Sequence, residues 1–218
     1  MITSTVENYL KALFLLDPYA EKQVATGELA KSLHVTPGSA TSMIKTLAEA
    51  GHVEHRPHYG VRLTEQGRNL AVHVVRRHRI VELFLVQILG MDWSQVHDEA
   101  EQLEHVVSNE VIERMNALLG FPTLDPHGDP IPTAEGILPQ RTLTQLASCI
   151  AGDCVSVARI GNQDAAFLQF AEENGLLPGA SITITSRNEI SDSITLQSGE
   201  REVVLGLAAA GRIEVQHV

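Results

Sequence analysis

The chain has 218 residues, 44% of them hydrophobic, which is enough for one or two domains with cores of their own. The sequence shows no secretory leader and no apolar run of the roughly 18 residues that a membrane span needs, so we expect a cytoplasmic protein without a membrane partner. Two cysteines, Cys149 and Cys154, are too few for a disulfide framework or an all-thiolate zinc site. The formal net charge of −11 weighs against nucleic acid, but residues 1–64 are neutral, with six Lys or Arg and six Asp or Glu.

The first 64 residues predict a winged helix-turn-helix. Apolar spacing, Thr26 and Thr36 as N-caps, Pro37 at a first helical position and Gly51 as a stop define the helices. The expected elements are helices over 3–16, 26–33 and 37–50, then strands over 52–56 and 60–63. In this order of elements the third helix enters the major groove of DNA and the hairpin forms the wing.

The rest of the chain predicts a helical middle, a linker with five prolines over 120–141, and a β-rich end. The expected middle helices cover 64–89, 94–107 and 109–119. The expected strands cover 155–160, 181–185, 193–197, 203–206 and 212–216, with one helix over 164–174. Five short strands with a helix are typical of a small barrel.

A polar stripe on the second middle helix carries the chemistry. At 100° per residue, two histidines and two glutamates fall within about a third of the helix circumference, and the preceding helix adds a His–Glu pair four residues apart. The six residues are His97, Glu101, Glu104, His105, His78 and Glu82. Carboxylates this close together disfavour mutual ionisation unless a cation neutralises them, and mixed imidazole and carboxylate ligands suit Mn, Fe, Co, Ni or Zn. The alternative is a solvated helix face with hydrogen-bonded histidines.

Around these residues the sequence resembles the diphtheria toxin repressor family of metal-dependent repressors. The resemblance spans the chain and is carried by Arg77-His78-Arg79, Glu82, Val96–Glu101, Glu104-His105, Ser108 and His127–Pro132. It implies a mainly α fold with β structure and a homodimer that binds double-stranded operator DNA when loaded with metal. The implied domains are a winged helix-turn-helix over 1–64, a helical metal-binding and dimerisation domain over 65–120, a linker over 121–141 and an SH3-like (FeoA-like) small β barrel over 142–218.

The resemblance also implies two metal sites. Asn8, Glu101, Glu104 and His105 match the primary site, and His78, Glu82 and His97 match the ancillary site. Glu101 stands where iron sensors of the family have cysteine, so a hard carboxylate favours Mn(II), with Fe(II) or another divalent transition metal as the alternative. Asn8 departs from the family pattern, because its amide oxygen can ligate but brings no charge. Gln163 and Asp164 lie in the region that supplies ancillary ligands in some members, although Asp164 is equally suited to cap a helix.

The positions that match the family's DNA contacts are Thr36, Gly38, Ser39, Thr41 and Ser42. Lys45, Arg56, Arg62 and the turn 57–60 are further candidates for backbone contact, with plain surface as the alternative for each. Small hydroxyls suit phosphate contacts and water-mediated reading.

The expected mechanism is that metal draws the first helix, through position 8, towards the central helices and so sets the spacing of the winged domains. A metalloenzyme is a weaker alternative, because the sequence has no HExxH pair and no nucleophile arrangement. A winged-helix regulator of an organic ligand is the other alternative.

Overall fold

The computed structural model describes residues 2–161 and 164–217. They form two compact units. The first unit comprises Met1–His78, Leu103–Val107 and Pro132–Leu138, and the second comprises Arg79–Gln102, Ser108–Ile131 and Pro139–Val218. Within the described ranges, none of the helices combines the length and apolar character of a membrane span.

The first unit begins with the predicted winged helix-turn-helix. Its elements are α1 (Ser4–Leu16), α2 (Thr26–Ser32), α3 (Pro37–Glu49), β1 (Val53–Arg56) and β2 (Gly60–Leu63). Thr36 caps α3 as expected, because its hydroxyl accepts a hydrogen bond from Ser39 N at 3.1 Å. Gly51 follows α3 with a left-handed φ of 77°. The strands pair antiparallel with Arg56 opposite Gly60.

The predicted cap of α2 is wrong. Ala25 occupies the N-cap position without a side-chain hydrogen bond, and Thr26 is already helical. α2 also ends at Ser32, one residue earlier than expected. The element itself forms because Leu29 and Ala30 are buried, so packing rather than a cap stabilises this short helix.

The core of the first unit joins α1 to α3, the helix that is predicted to enter the major groove. Leu10 and Phe14 of α1 are fully buried in one hydrophobic cluster with Ile44 and Leu47 of α3. Each such side chain contributes roughly 1.5–3 kcal/mol of burial free energy, so α1 and α3 are held firmly against displacement. The other face of α3 is left exposed.

Three helices follow: α4 (Glu65–Gln87), α5 (Val96–Leu103) and α6 (Asn109–Leu118). The predicted helix over 94–107 is too long, because α5 ends at Leu103 and residues 104–107 form a turn. Val106 and Val107 both donate their N–H to the Leu103 carbonyl, at 3.1 and 3.0 Å. Two adjacent β-branched residues favour helix poorly, and Ser108 is already extended as the N-cap of α6.

Part of the predicted extended linker is a buried turn. Asp125 Oδ1 accepts hydrogen bonds from the N–H groups of His127 and Asp129, both at 2.9 Å. Gly128 has a φ of +88°, and a Cβ there would lie 2.2 Å from the Ala158 carbonyl oxygen. Only glycine fits this position without moving the backbone that carries His127.

The second unit ends in a six-stranded antiparallel sheet of order β3-β8-β4-β5-β6-β7. The strands are β3 (Thr144–Gln145), β4 (Cys154–Ile160), β5 (Ser181–Asn188), β6 (Ser193–Ser198), β7 (Arg201–Gly206) and β8 (Ile213–His217). Two helices accompany them, α7 (Ala165–Glu173) and the short α8 (Leu207–Ala210). The five predicted strands and their helix are present. The structure adds β3 and α8, which were not predicted because elements this short have no clear pattern in the sequence.

Candidate metal centre

The first unit holds the imidazole of His105 in a fixed orientation. His105 Nδ1 lies 2.5 Å from Glu7 Oε2, and Arg77 donates a hydrogen bond to Glu7 Oε1 at 2.7 Å. A carboxylate on Nδ1 selects the tautomer whose Nε2 carries a lone pair, which is the arrangement found behind metal-binding histidines. Glu7 and Arg77 were not predicted as site residues from sequence. Glu7 lies one residue before Asn8, and Arg77 one residue before His78, so adjacency was the available signal.

Glu104 lies beside His105 and is fully buried. Its Oε2 accepts hydrogen bonds from Lys11 Nζ at 2.7 Å and from His78 Nδ1 at 2.5 Å. Burial alone would raise the pKa of this carboxyl, but the hydrogen bond from His78 and the positive charge of Lys11 outweigh burial and lower the pKa. Glu104 is therefore a carboxylate at neutral pH.

The buried polar atoms of the first unit that have no hydrogen-bond partner among the residues described include Asn8 Oδ1, Glu104 Oε1 and His105 Nε2. The last two lie 3.4 Å from each other. Buried polar atoms without hydrogen bonds are costly. An amide oxygen, a carboxylate oxygen and an imidazole nitrogen are together a donor set for Mn, Fe or Zn, so these residues fit a divalent transition metal.

The second unit brings His97 against two glutamates. His97 Nδ1 lies 3.2 Å from Glu82 Oε1, and His97 Nε2 lies 3.7 Å from Glu101 Oε1, four residues along α5. The sequence placed Glu101 with the primary set and His97 with the ancillary set. The contacts within each unit join residues of different predicted sets, because His97 contacts Glu101 and His78 contacts Glu104.

A further cluster in the second unit was missed from sequence. Ligand atoms of Glu82, Asp125 and His127 lie within 4.8 Å of one another, and all three residues are buried. His127 Nε2 lies 3.0 Å from the Trp93 carbonyl oxygen, to which it donates, so Nδ1 keeps its lone pair 3.8 Å from Glu82 Oε2. The available signal was the spacing of Asp125, His127 and Asp129 at every second residue of a segment that we interpreted only as a linker.

Asp164 makes the contact expected of a helix cap. Its Oδ1 accepts a hydrogen bond from Phe167 N at 3.0 Å and so caps α7. Gln163 lies outside the described residues.

Replacing Asp125 with asparagine should separate stability from metal binding. Burial first, and then the negative charges of Asp129 and Glu82, raise the pKa of Asp125 well above its usual value. A raised pKa means that the stabilising contribution of this carboxyl is present below its unfolded-state pKa and is lost as pH rises through the folded-state pKa. In chelator, we therefore expect the Tm of Asp125→Asn relative to that of the wild type to increase as pH rises, while metal binding weakens because a carboxylate ligand is lost. Differential scanning calorimetry over a range of pH, with and without Mn²⁺, checks both signs, and a Tm difference that does not grow with pH would contradict the prediction.

Most of the predicted DNA-contacting residues lie on the solvent-exposed face of α3 or at its N-terminus. Gly38, Ser39, Ser42 and Lys45 are exposed, as are the capping residue Thr36 and, at the end of β1, Arg56. Thr41 is half-buried, and its hydroxyl donates to the Pro37 carbonyl at 2.8 Å. Arg62 pairs with Glu54 across the hairpin at 3.1 Å. The exposed face offers hydroxyls and one lysine to a partner.

The chain matches three family models. Residues 1–61 match the N-terminal DNA binding domain of iron dependent repressors, residues 64–133 match their metal binding and dimerisation domain, and residues 144–217 match the FeoA domain. The iron-dependent repressor IdeR of Mycobacterium tuberculosis is 27% identical over 229 residues, covering 100% of this chain and 99% of that protein. An uncharacterized HTH-type transcriptional regulator of Methanocaldococcus jannaschii is 34% identical over 118 residues, covering 54% of this chain and 94% of that protein.

A solved structure of a manganese-dependent transcriptional repressor in complex with manganese is 39% identical, with a TM-score of 0.90, covering 98% of this chain and 100% of that one. Fold and matches together define a transcriptional repressor with a DNA-binding domain, a metal-binding and dimerisation domain and an SH3-like FeoA domain. The chain belongs to the diphtheria toxin repressor family of metal-dependent repressors. The predicted fold class and family are confirmed.

Proposed function

We propose that this protein represses metal-homeostasis genes in the cytoplasm by binding double-stranded operator DNA as a homodimer when loaded with a divalent metal. The observation that carries the metal dependence is the pair of buried donor atoms Glu104 Oε1 and His105 Nε2, which lie 3.4 Å apart without hydrogen-bond partners among the described residues. A regulator of an organic ligand does not need a buried carboxylate oxygen and imidazole nitrogen that lack hydrogen bonds, whereas a metal-responsive one uses such atoms as ligands. The domain boundaries at 64, 120 and 141 stay a prediction.

The proposed primary ligands are Asn8, Glu101, Glu104 and His105. The proposed ancillary ligands are His78, Glu82 and His97, with Asp125 and His127 added by the structure and with Gln163 and Asp164 suggested by the family resemblance. Mn(II) is favoured because Glu101 offers a hard oxygen rather than a thiolate. The manganese-dependent repressor at 39% identity supports this preference, and the iron-dependent IdeR at 27% keeps Fe(II) as the alternative.

Residues of α1 connect the proposed metal centre to α3, the proposed DNA-recognition helix. Asn8 and Glu7 lie on the same helix as Leu10 and Phe14, which pack against Ile44 of α3. A bound divalent cation would give Asn8 Oδ1 and Glu104 Oε1 the partner that they lack among the described residues. Ligation through Asn8 would then favour one position of α1, and α3 would follow it through the shared core. Such coupling requires the DNA-competent arrangement to bind metal more tightly than the other arrangement.

Exposed apolar side chains support the homodimer. Leu89, Leu118 and Phe121 of the second unit are 60%, 65% and 69% exposed, and they lie within the segment that matches a metal-binding and dimerisation domain. The match to a dimerisation domain gives these exposed side chains a partner surface to pack against. We therefore place the proposed dimer contacts on this segment.

A metal titration of DNA binding tests the proposal. Genomic fragments selected by the Mn²⁺-loaded protein would supply a fluorescent operator, and fluorescence anisotropy would then be measured with Mn²⁺, Fe²⁺ or Zn²⁺ and in chelator. We expect binding at least about 100-fold tighter with the cognate metal, a coupling of roughly 3 kcal/mol. Equal affinity in chelator would rule out metal control and favour the organic-ligand alternative. Metal analysis of protein purified without chelator, and a turnover screen, address the two alternatives directly.

Replacing Lys45 with alanine should weaken operator binding without changing sequence preference. Lys45 is exposed on the free face of α3, where an ammonium suits a phosphate contact. The expected result is an affinity loss of similar size on all operator variants, and a plot of log affinity against log salt whose slope falls by about 1 per protomer. Arg187→Ala, in the sheet of the second unit, is the control, because it removes one positive charge away from α3. It should leave the operator affinity and the salt slope unchanged. A loss confined to one base-pair change would instead indicate base reading by Lys45.

A further inference from the structure

Lys11 places a buried positive charge inside the candidate metal centre. Its side chain is only 7% exposed, although lysine is almost always at the surface. The ammonium lies 2.7 Å from Glu104 Oε2 and 3.0 Å from His78 Nδ1. A buried ammonium is stable only with close anionic or hydrogen-bonding partners, so this lysine and Glu104 stabilise each other.

The two oxygens of Glu104 have different surroundings. Oε2 accepts hydrogen bonds from Lys11 and His78. Oε1 has no hydrogen bond among the described residues and lies 3.4 Å from His105 Nε2. The ammonium therefore occupies one oxygen of this carboxylate, and the other is left beside the imidazole nitrogen that Glu7 orients.

The charges of four residues of the first unit, Glu7, Arg77, Lys11 and Glu104, balance one another. Glu7 and Glu104 contribute two negative charges, and Arg77 and Lys11 contribute two positive ones, each pair joined at 2.7 Å. With neutral imidazoles the net charge of the four residues is zero. Without the ammonium, the same residues would carry one uncompensated negative charge at the buried Glu104.

We propose that the Lys11 ammonium is a built-in cation of this centre, which neutralises Glu104 and restricts that carboxylate to binding a metal through Oε1 alone. This inference rests on the proposed function, because it concerns the same site. It makes Lys11 a positioning residue that limits how strongly, and how many, divalent cations the centre binds. It also means that Lys11 joins α1 to the segment Leu103–Val107 by a contact that needs no metal.

The first test measures stability in chelator. Lys11→Met keeps the length and apolar stem of the side chain and removes the charge, so Glu104 stays buried without its cationic partner. Breaking a buried pair of this kind should lower the Tm in EDTA by on the order of 10 °C. Lys11→Arg keeps the charge and should recover most of this loss. Lys22→Met removes a lysine whose side chain is 55% exposed, and its Tm should not change. An unchanged Tm for Lys11→Met would overturn the inference.

The second test measures Mn²⁺ binding by isothermal titration calorimetry and by metal analysis after equilibrium dialysis. Removing the ammonium leaves Oε2 with His78 as its remaining partner and removes charge repulsion, so Lys11→Met should bind Mn²⁺ at least about tenfold more tightly or take up an additional ion per protomer. Mn²⁺ should also raise the Tm of Lys11→Met more than that of the wild type. If the variant is unfolded in EDTA, Mn²⁺ should restore its folding. Equal or weaker Mn²⁺ binding, or a variant that Mn²⁺ cannot restore, would overturn the inference. A wild-type protein that binds neither Mn²⁺ nor Fe²⁺ would instead contradict the proposed function, while the result in EDTA would still decide the role of Lys11.

Discussion

Replacing His105 with alanine is expected to abolish metal-dependent operator binding. The imidazole offers a buried Nε2 next to Glu104 Oε1, and Glu7 fixes its orientation from the other side. Loss of a residue that merely orients a ligand typically costs 10–100-fold in metal affinity, so loss of the ligand itself should cost at least about 100-fold. The measurement is operator binding by anisotropy at fixed Mn²⁺, together with Mn²⁺ affinity by calorimetry.

His73→Ala is the control for that experiment. His73 lies on α4 and is exposed, so its loss removes an imidazole without touching the centre. The Tm of both variants in chelator shows whether either change acts through folding. If His105→Ala keeps a normal response to Mn²⁺, the primary site has been assigned to the wrong residues.

Replacing Asn8 with aspartate should strengthen Mn²⁺ binding. The Oδ1 of Asn8 is buried and has no hydrogen bond within the described part of the chain, so it is available as a ligand but carries no charge. A full negative charge about 4 Å from a cation contributes several kcal/mol at an effective dielectric of about 20, and the cost of burying the carboxylate offsets part of it. We expect Mn²⁺ affinity to rise by about 10–100-fold, and the Tm in chelator to fall because the added carboxylate is then unpaired.

The matched control for the change at position 8 is Asn69→Asp. Asn69 is exposed on α4, so the same chemical change there should alter neither Mn²⁺ affinity nor operator binding. Direct calorimetric titration of the two variants and the wild type gives the comparison. An unchanged affinity for Asn8→Asp would show that position 8 does not ligate the metal.

Local signals predicted the winged helix-turn-helix well, and they failed where distant contacts decide the structure. The start of α3 depends on Thr36 and Pro37, whose effects act within one helical turn, so sequence sufficed there. The burial of Lys11 depends on Glu104, 93 residues away, and periodicity along α1 carries no information about that contact. For the same reason Asp125 and His127 were assigned to a linker, since their burial arises from Glu82 and Trp93.

The end of α5 illustrates a different failure. Helical periodicity placed Glu104 and His105 on the same stripe as His97 and Glu101, and carboxylates and imidazoles are residue types that suit metal binding. The backbone leaves the helix after Leu103, so Glu104 and His105 reach their partners from a turn. A pattern of side chains can thus predict the chemistry of a site while giving the wrong backbone for it.

The stacking of His127 on Trp93 gives this protein an optical reporter of its own. Trp93 is the single tryptophan of the chain, and its ring lies 5.3 Å from that of His127, with the indole N–H donating to Glu172 at 3.1 Å. Ligation or protonation of the imidazole changes the electric field at the indole, and indole emission is sensitive to that field. Emission spectra recorded during a metal titration would therefore report occupancy at Glu82, Asp125 and His127 without any added dye.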